Sequence, residues 1–182
     1  FLADREWHIR RPRPDEGLIK EVARQIRAAK RPMIIAGGGV IFSDAHDVLD
    51  ALVRATGIPV STSQAGVGSL NWDHPQCQGA VGTTGTTGAN RLAKEADLII
   101  GIGTRYSDFT TASRSAFQNS EVKFININIA SFDAFKHGSA TPVVADARVA
   151  IAELHTELKG YSVSAEHAAN SAQQKKEWDS TV

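Results

Sequence analysis

Three glycine-bearing stretches hold the residue types best suited to receive an anion. Gly37-Gly38-Gly39 closes a short apolar run. Glycine there lets the backbone approach a phosphate closely, and a following helix start would add partial positive charge. The stretch is not GxGxxG, no Walker lysine follows it, and no acidic residue ends the segment Pro59 to Thr62 to hold a ribose, so tight turning alone is the simpler account. Gly82 to Gly88 offers hydroxyls and a pliable backbone just before a helical segment, which suits an anion and a capping turn equally. In Gly103-Thr104-Arg105-Tyr106-Ser107-Asp108, Arg105 is the best single candidate for a ligand contact. Its structural alternative is an ion pair with Asp108 or with a neighbouring domain.

Other chemistries find no residue set. The histidines, among them His46, His74 and His155, lack HxH or HExxH spacing, so no metal site is indicated. No GxSxG elbow frames a serine. The lone cysteine, Cys77, lies three residues from His74 in a turn-like stretch, and proximity in sequence is not the geometry that nucleophilic catalysis needs. Asn126 and Asn128 alternate with isoleucines and point to one face, where neighbouring backbone would satisfy their amides. No catalytic residue is assigned. Lysine and arginine number 20 and aspartate and glutamate 20, so no net field draws nucleic acid or anionic lipid. One thiol without a partner fits a reducing, cytoplasmic compartment, and no apolar run reaches the 18 residues of a membrane span.

The elements that would position these residues follow from periodicity. Asp15 to Lys30 places Leu18, Ile19, Val22, Ile26 and Ala29 at helical spacing behind a capping aspartate. Met33 to Ala36 is too short for a helix and reads as a buried strand. A helix through Val48, Leu49, Leu52 and Val53 ends near Gly57, before the strand Ile58 to Thr62. Gly85 to Ala96 reads as a helix, Asp97 to Gly103 as a strand apolar on both faces, Val122 to Ile129 and Pro142 to Ala145 as strands, and Ala147 to Lys159 as a helix. This alternation predicts an α/β, Rossmann-like, doubly wound sheet, mostly parallel, of five to six strands flanked by helices. Ligands would lie beyond the carboxyl ends of the strands.

Residues 15–160 form the expected domain, with 1–14 a linker from a preceding domain and 161–182 a polar linker to a following one. The start lacks methionine and a signal-peptide core, which reads as a piece of a longer chain.

An ordered series of short motifs carries a more specific signal. It runs from Pro32 to Gly39 and Gly57 to Val60, through Gly66 to Leu70, His74-Pro75 and Gly79 to Gly82. It continues with Ala89-Asn90, Asp97 to Ile99, Gly103 to Asp108 and Val144 to Asp146. In that order the chain resembles the central domain of thiamine-diphosphate enzymes of the acetohydroxyacid synthase type. Within the family it is most similar, across Gln64 to Asn90 and Gly103 to His137, to members that hydrolyse a carbon–carbon bond of a trihydroxycyclohexane-dione in myo-inositol catabolism, giving 5-deoxy-glucuronate. The resemblance implies thiamine diphosphate and Mg2+ bound outside this chain, by flanking catalytic domains of the same polypeptide. It also implies a homo-oligomer acting on a small-molecule substrate, and a segment inactive by itself. It places the loop of Gln64, Gly66 and Gly68 at the substrate approach. Gly37, Gly38, Gly39 and Arg105 are then a candidate vestigial nucleotide groove. Thr84 stands where flavin-binding relatives have histidine, Phe109 replaces an arginine, and Asn126 and Asn128 replace aspartates, all of which argue against FAD. The alternative is an FAD- or adenine-nucleotide-binding central domain of a carboligase.

Overall fold

The computed structural model describes residues 10–136 and 141–181, so the first nine residues of the expected amino-terminal linker lie outside the described residues. Eight helices and six strands are described: α1 Glu16–Ala28, β1 Pro32–Ala36, α2 Gly38–Phe42, α3 His46–Thr56, β2 Val60–Thr62, β3 Cys77–Ala80, α4 Thr87–Glu95, β4 Leu98–Ile102, α5 Asp108–Thr111, β5 Lys123–Asn128, α6 Ser131–Ala134, β6 Thr141–Val144, α7 Ala147–Glu157 and α8 Ala165–Asp179.

The strands make one parallel sheet in the order β3-β2-β1-β4-β5-β6. Strand order reverses between β1 and β4, where Ile34 sits beside Ile100 and Ala36 beside Ile102. All residues of both strands are buried, because helices cover both faces there. The α/β reading and its upper strand count therefore hold. The strand that periodicity does not reveal is β3, which pairs with β2 alone. Its Cys77-Gln78-Gly79-Ala80 has neither β-branched residues nor an apolar alternation.

Local chemistry sets the helix ends. The Asp15 carboxylate accepts the Leu18 N–H at 3.0 Å, and α1 buries Ile19, Val22, Ala23 and Ile26. It stops short of Arg31-Pro32, where the backbone N–H groups of Lys30 and Arg31 turn to the Asp97 carboxylate at 2.8 and 2.8 Å. Thr86 caps α4 by accepting from Ala89, and Asp146 caps α7 by accepting from Val149. Asp146 is almost wholly buried and also takes the Ser43 hydroxyl at 2.9 Å and Arg11 at 3.2 Å, tying the segment before α1 to the start of α7.

The two faces of the sheet differ. On the first, α1, α3 and α7 seal Ile34, Ile100, Ile125, Ile127 and Val143. A fully buried side chain of that size contributes about 2 kcal/mol. On the second, α4 covers Met33, Ile35 and Ile99, and α8 packs on α4 and β3. The stretch expected as a polar linker thus contains a helix, which packs on α4 and β3 and sets the His167 Nε2 2.9 Å from the Pro32 carbonyl.

Candidate functional site

The glycine runs, Arg105 and the loop from Gln64 to Gly68 lie where the chain leaves the carboxyl ends of the strands, whereas Cys77 opens β3 at its amino end. The loops there are locked to one another through their backbones. Gly37 donates its N–H to the Ile102 carbonyl at 2.8 Å, Gly39 to Gly103 at 3.0 Å, and Gly103 to Ile127 at 2.8 Å. A methyl group added at Gly37 would overlap the Gly103 carbonyl, and one at Gly39 would stand 2.6 Å from the Gly103 Cα. Gly103 itself has φ +62°, a left-handed conformation that costs a side chain about 1 kcal/mol. The three glycines therefore serve the close approach of the β1 loop to the β4 loop, in the crevice where an open α/β sheet would seat a pyrophosphate.

The next loop is pressed onto the same place. Ser63 donates its N–H to the Ala36 carbonyl at 2.9 Å, and a Cβ at Gly66 would overlap that carbonyl. Gln64 reaches sideways, its Nε2 donating to the Thr84 hydroxyl at 3.2 Å, and both residues are exposed. Gly68 has φ +93° with open space around its Cα. Gln64, Gly66, Gly68 and the glycine run are thus neighbours, as spacing alone could not establish. Behind them Asn90 clamps Gly82, accepting from its N–H at 2.8 Å and donating to its carbonyl at 3.0 Å.

Arg105 is exposed, and no ion pair joins it to Asp108 or to any other acid among the described residues. Its carbonyl takes the Lys136 ammonium at 3.0 Å. Both asparagines turn to backbone: Asn126 Nδ2 donates to the Ala134 and Lys136 carbonyls at 3.3 and 3.2 Å, and Asn128 Nδ2 to Thr104 at 3.1 Å. That orientation holds α6 against β5 and the Arg105 loop against its neighbour.

Sequence reasoning missed the apolar rim on this edge. Phe42, Val67, Phe109, Ile129, Phe132 and Phe135 all follow strand ends, and Phe42 and Phe132 are 88% and 77% exposed. Isolated exposed apolar residues are ordinary, whereas six that follow strand ends on one edge of the sheet are a candidate interaction surface. The signal in sequence was faint: Phe132 and Phe135 stand among polar residues, with no period to show which way they face.

The remaining titratable groups are structural. His74 accepts the Gln76 N–H at Nδ1 (3.1 Å), which leaves the proton on Nε2, 3.4 Å from the Asp50 carboxylate. Burial, helped by the nearby Arg54, holds its pKa below the ordinary histidine value. Cys77 is buried beside it, so the pair offers no accessible nucleophile. Among the described residues, no group of three or more His, Cys, Asp or Glu is arranged to hold a metal ion.

The family described as the thiamine pyrophosphate enzyme central domain matches residues 19–154. The chain is 42% identical over 178 residues to the 3D-(3,5/4)-trihydroxycyclohexane-1,2-dione hydrolase of Bacillus subtilis (strain 168), covering 98% of this chain and 28% of that protein. It is 39% identical over 182 residues to the hydrolase of the same name from Bacillus cereus (strain AH820), covering 100% and 28%. Against that of Bacillus velezensis the figures are 44% over 161 residues, 88% and 25%. The chain spans little more than a quarter of the length of these relatives. It belongs to the family of thiamine pyrophosphate enzyme central domains.

Proposed function

We propose that this chain is the central, non-catalytic domain of a longer thiamine-diphosphate-dependent hydrolase that opens 3D-(3,5/4)-trihydroxycyclohexane-1,2-dione to 5-deoxy-glucuronate. The strand-end crevice carries this reading: the chain's own backbone fills it, while apolar side chains stand exposed around it. Such an edge suits docking against other protein better than it suits holding a nucleotide. The described residues do not fit thiamine diphosphate or Mg2+, since among them there is neither a clustered ligand set nor an open phosphate cradle. No chemical step is assigned to them, and the cofactor and metal belong to flanking catalytic domains.

On this reading the rim of Phe42, Phe109, Phe132 and Phe135 packs on those domains. The Gln64–Thr84 hydrogen bond fixes the loop through Gly66 and Gly68 at the mouth of the active site, and Arg105 faces a neighbouring domain or the substrate. The flavin alternative is not favoured. Thr84 is engaged by Gln64 and Asn128 by Thr104, and the relatives named above are hydrolases rather than carboligases. Among the described residues no helix is long and apolar enough to cross a membrane, which is compatible with a cytoplasmic homo-oligomer.

The test is an assay of the complete polypeptide with the dione, thiamine diphosphate and Mg2+. Formation of 5-deoxy-glucuronate, lost when thiamine diphosphate is omitted and indifferent to FAD, is the expected result. Carboligation of a 2-oxo acid with no ring opening would overturn the substrate assignment, and a requirement for FAD would reopen the crevice as a nucleotide site.

A further inference from the structure

The second face of the sheet holds a cavity of about 480 Å³ that the rim on the carboxyl edge does not include. Its walls are Tyr106, Thr111, Arg114, Phe117, Val122 and Phe124. The aromatic walls form a closed triangle. Tyr106 lies 6.4 Å from Phe117 and 5.9 Å from Phe124, the two phenylalanines are 5.4 Å apart, and each pair meets edge to face. Tyr106 is wholly buried, its ring over Gly101, where any side chain would collide with it. Phe117, Val122 and Phe124 are only half-buried, so their apolar surfaces line a concave space.

One charge borders this space. Arg114 is exposed, and among the described residues no carboxylate or carbonyl accepts from its guanidinium, its backbone N–H alone being engaged, by the Thr111 hydroxyl at 3.2 Å. It is also the last of three consecutive left-handed residues, Ala112, Ser113 and Arg114, with φ of 46°, 55° and 70° and no glycine among them. Such a run costs free energy for residues that carry a Cβ, and here it turns the chain so that the cation stands at the edge of the aromatic walls.

We propose that this cavity is a docking socket for a segment of the same polypeptide outside the present chain. The segment inserts an apolar side chain against Phe117 and Phe124 and sets a carboxylate against Arg114. The proposal rests on the multidomain reading above. The relatives' length leaves nearly three quarters of such a polypeptide to supply the occupant. The socket's composition states its chemistry: apolar walls with a single unpaired cation complement an apolar residue close to an acidic one. A free small-molecule carboxylate would be held by that one exposed charge alone, since among the described residues no other charged side chain lines the cavity.

The complete polypeptide tests this in two arms. An arginine-directed dicarbonyl reagent, with modification read peptide by peptide by mass spectrometry, should label Arg114 at least tenfold more slowly in the native protein than in the urea-unfolded one. In the Arg114→Lys variant, which leaves an exposed position exposed, carbodiimide should join the introduced amine to an Asp or Glu of the same molecule outside residues 1–182. Equal labelling in the native and unfolded protein overturns the socket. So does a cross-link to a second copy, detected by mixing isotopically labelled protein, or to an acid within this chain. Ring-opening activity is read separately. Protection and the intramolecular cross-link in a protein inert towards the dione would sink the substrate assignment and leave the socket, whereas free labelling in an active hydrolase would do the reverse.

Discussion

The first face of the sheet and the second are built from the same strands, with alternate residues turned to each, yet they are finished differently. On the first, α1, α3 and α7 bury Ile100, Ile125, Ile127 and Val143 to zero or nearly zero exposure. On the second, α4 and α8 cover the half near β1, but Phe124 stays half-buried and Val144 is 40% exposed. The contrast separates two uses of apolar surface. One face is closed on itself, whereas the other leaves apolar side chains part-exposed. The same division runs through the loops, where the glycine run is consumed by backbone contacts within the chain and the phenylalanines beside it touch little.

The comparison breaks if the two regions respond alike to damage. The largest effect should come from Gly103→Val, which forces a branched residue into φ +62° and into the Gly39 backbone. A loss of at least about 3 kcal/mol is expected, enough to remove most soluble protein at 37 °C. A near-normal urea midpoint would show that the β1 and β4 loops can separate and that the crevice can open. Next, Ile100→Ala on the first face should cost about 3 kcal/mol, against about 1 kcal/mol for Phe124→Ala on the second. Equal costs, measured by urea denaturation, would mean the second face is as closed as the first.

A smaller loss, about 1–2 kcal/mol, is expected for Asp146→Ala, which removes the cap of α7 together with its contacts to Ser43 and Arg11. Asp146→Asn keeps an acceptor for the Val149 N–H and should recover roughly half of that loss. If both variants lose the same amount, the contact to Arg11 rather than the cap is what matters.

The fold was legible because burial leaves a period. The runs around Ile34, Ile100 and Ile125 are apolar for the length of a strand, and α1, α3 and α7 show one apolar stripe each, with Asp15 and Asp146 at their starts. β3 was not legible, since an edge strand carrying Gln78 and Gly79 repeats nothing. At the site, the glycines announced a tight approach but not its partner: what fills the space beside Gly37 is Gly103, brought there by the pairing of β1 with β4. Arg105 was legible as a strand-end cation. Arg114 was not, because its place depends on a left-handed run that no glycine or asparagine marks, and the aromatic walls come from segments flanking two different turns.

The smallest expected effect concerns acid, and it bears on how firmly α8 completes the second face. His167 is buried, and its Nε2 donates to the Pro32 carbonyl, a bond that either protonation state can make, so it is burial that favours the neutral ring. Burial lowers its pKa, only partly opposed by that hydrogen bond, and burial lowers that of His74 in the same direction. Both folded values lie below the unfolded one, near 6.5. As pH falls through about 6.5 the unfolded chain therefore takes up protons that the folded chain refuses. Stability should be flat above pH 7 and decline from about 6.5 downwards, levelling only below the folded pKa values. Substituting His167→Gln should reduce this slope and loosen α8, seen as faster amide exchange from Ala165 to Ser171, while His74→Gln should reduce the slope and leave α8 protected. An unchanged slope in both variants would assign the acid sensitivity to carboxylates such as Asp50 and Asp47, whose pKa values are held down mainly by hydrogen bonds from Arg54 and Arg148. It would then appear below pH 4 instead, and α8 would be anchored by its packing on α4 rather than by a neutral histidine.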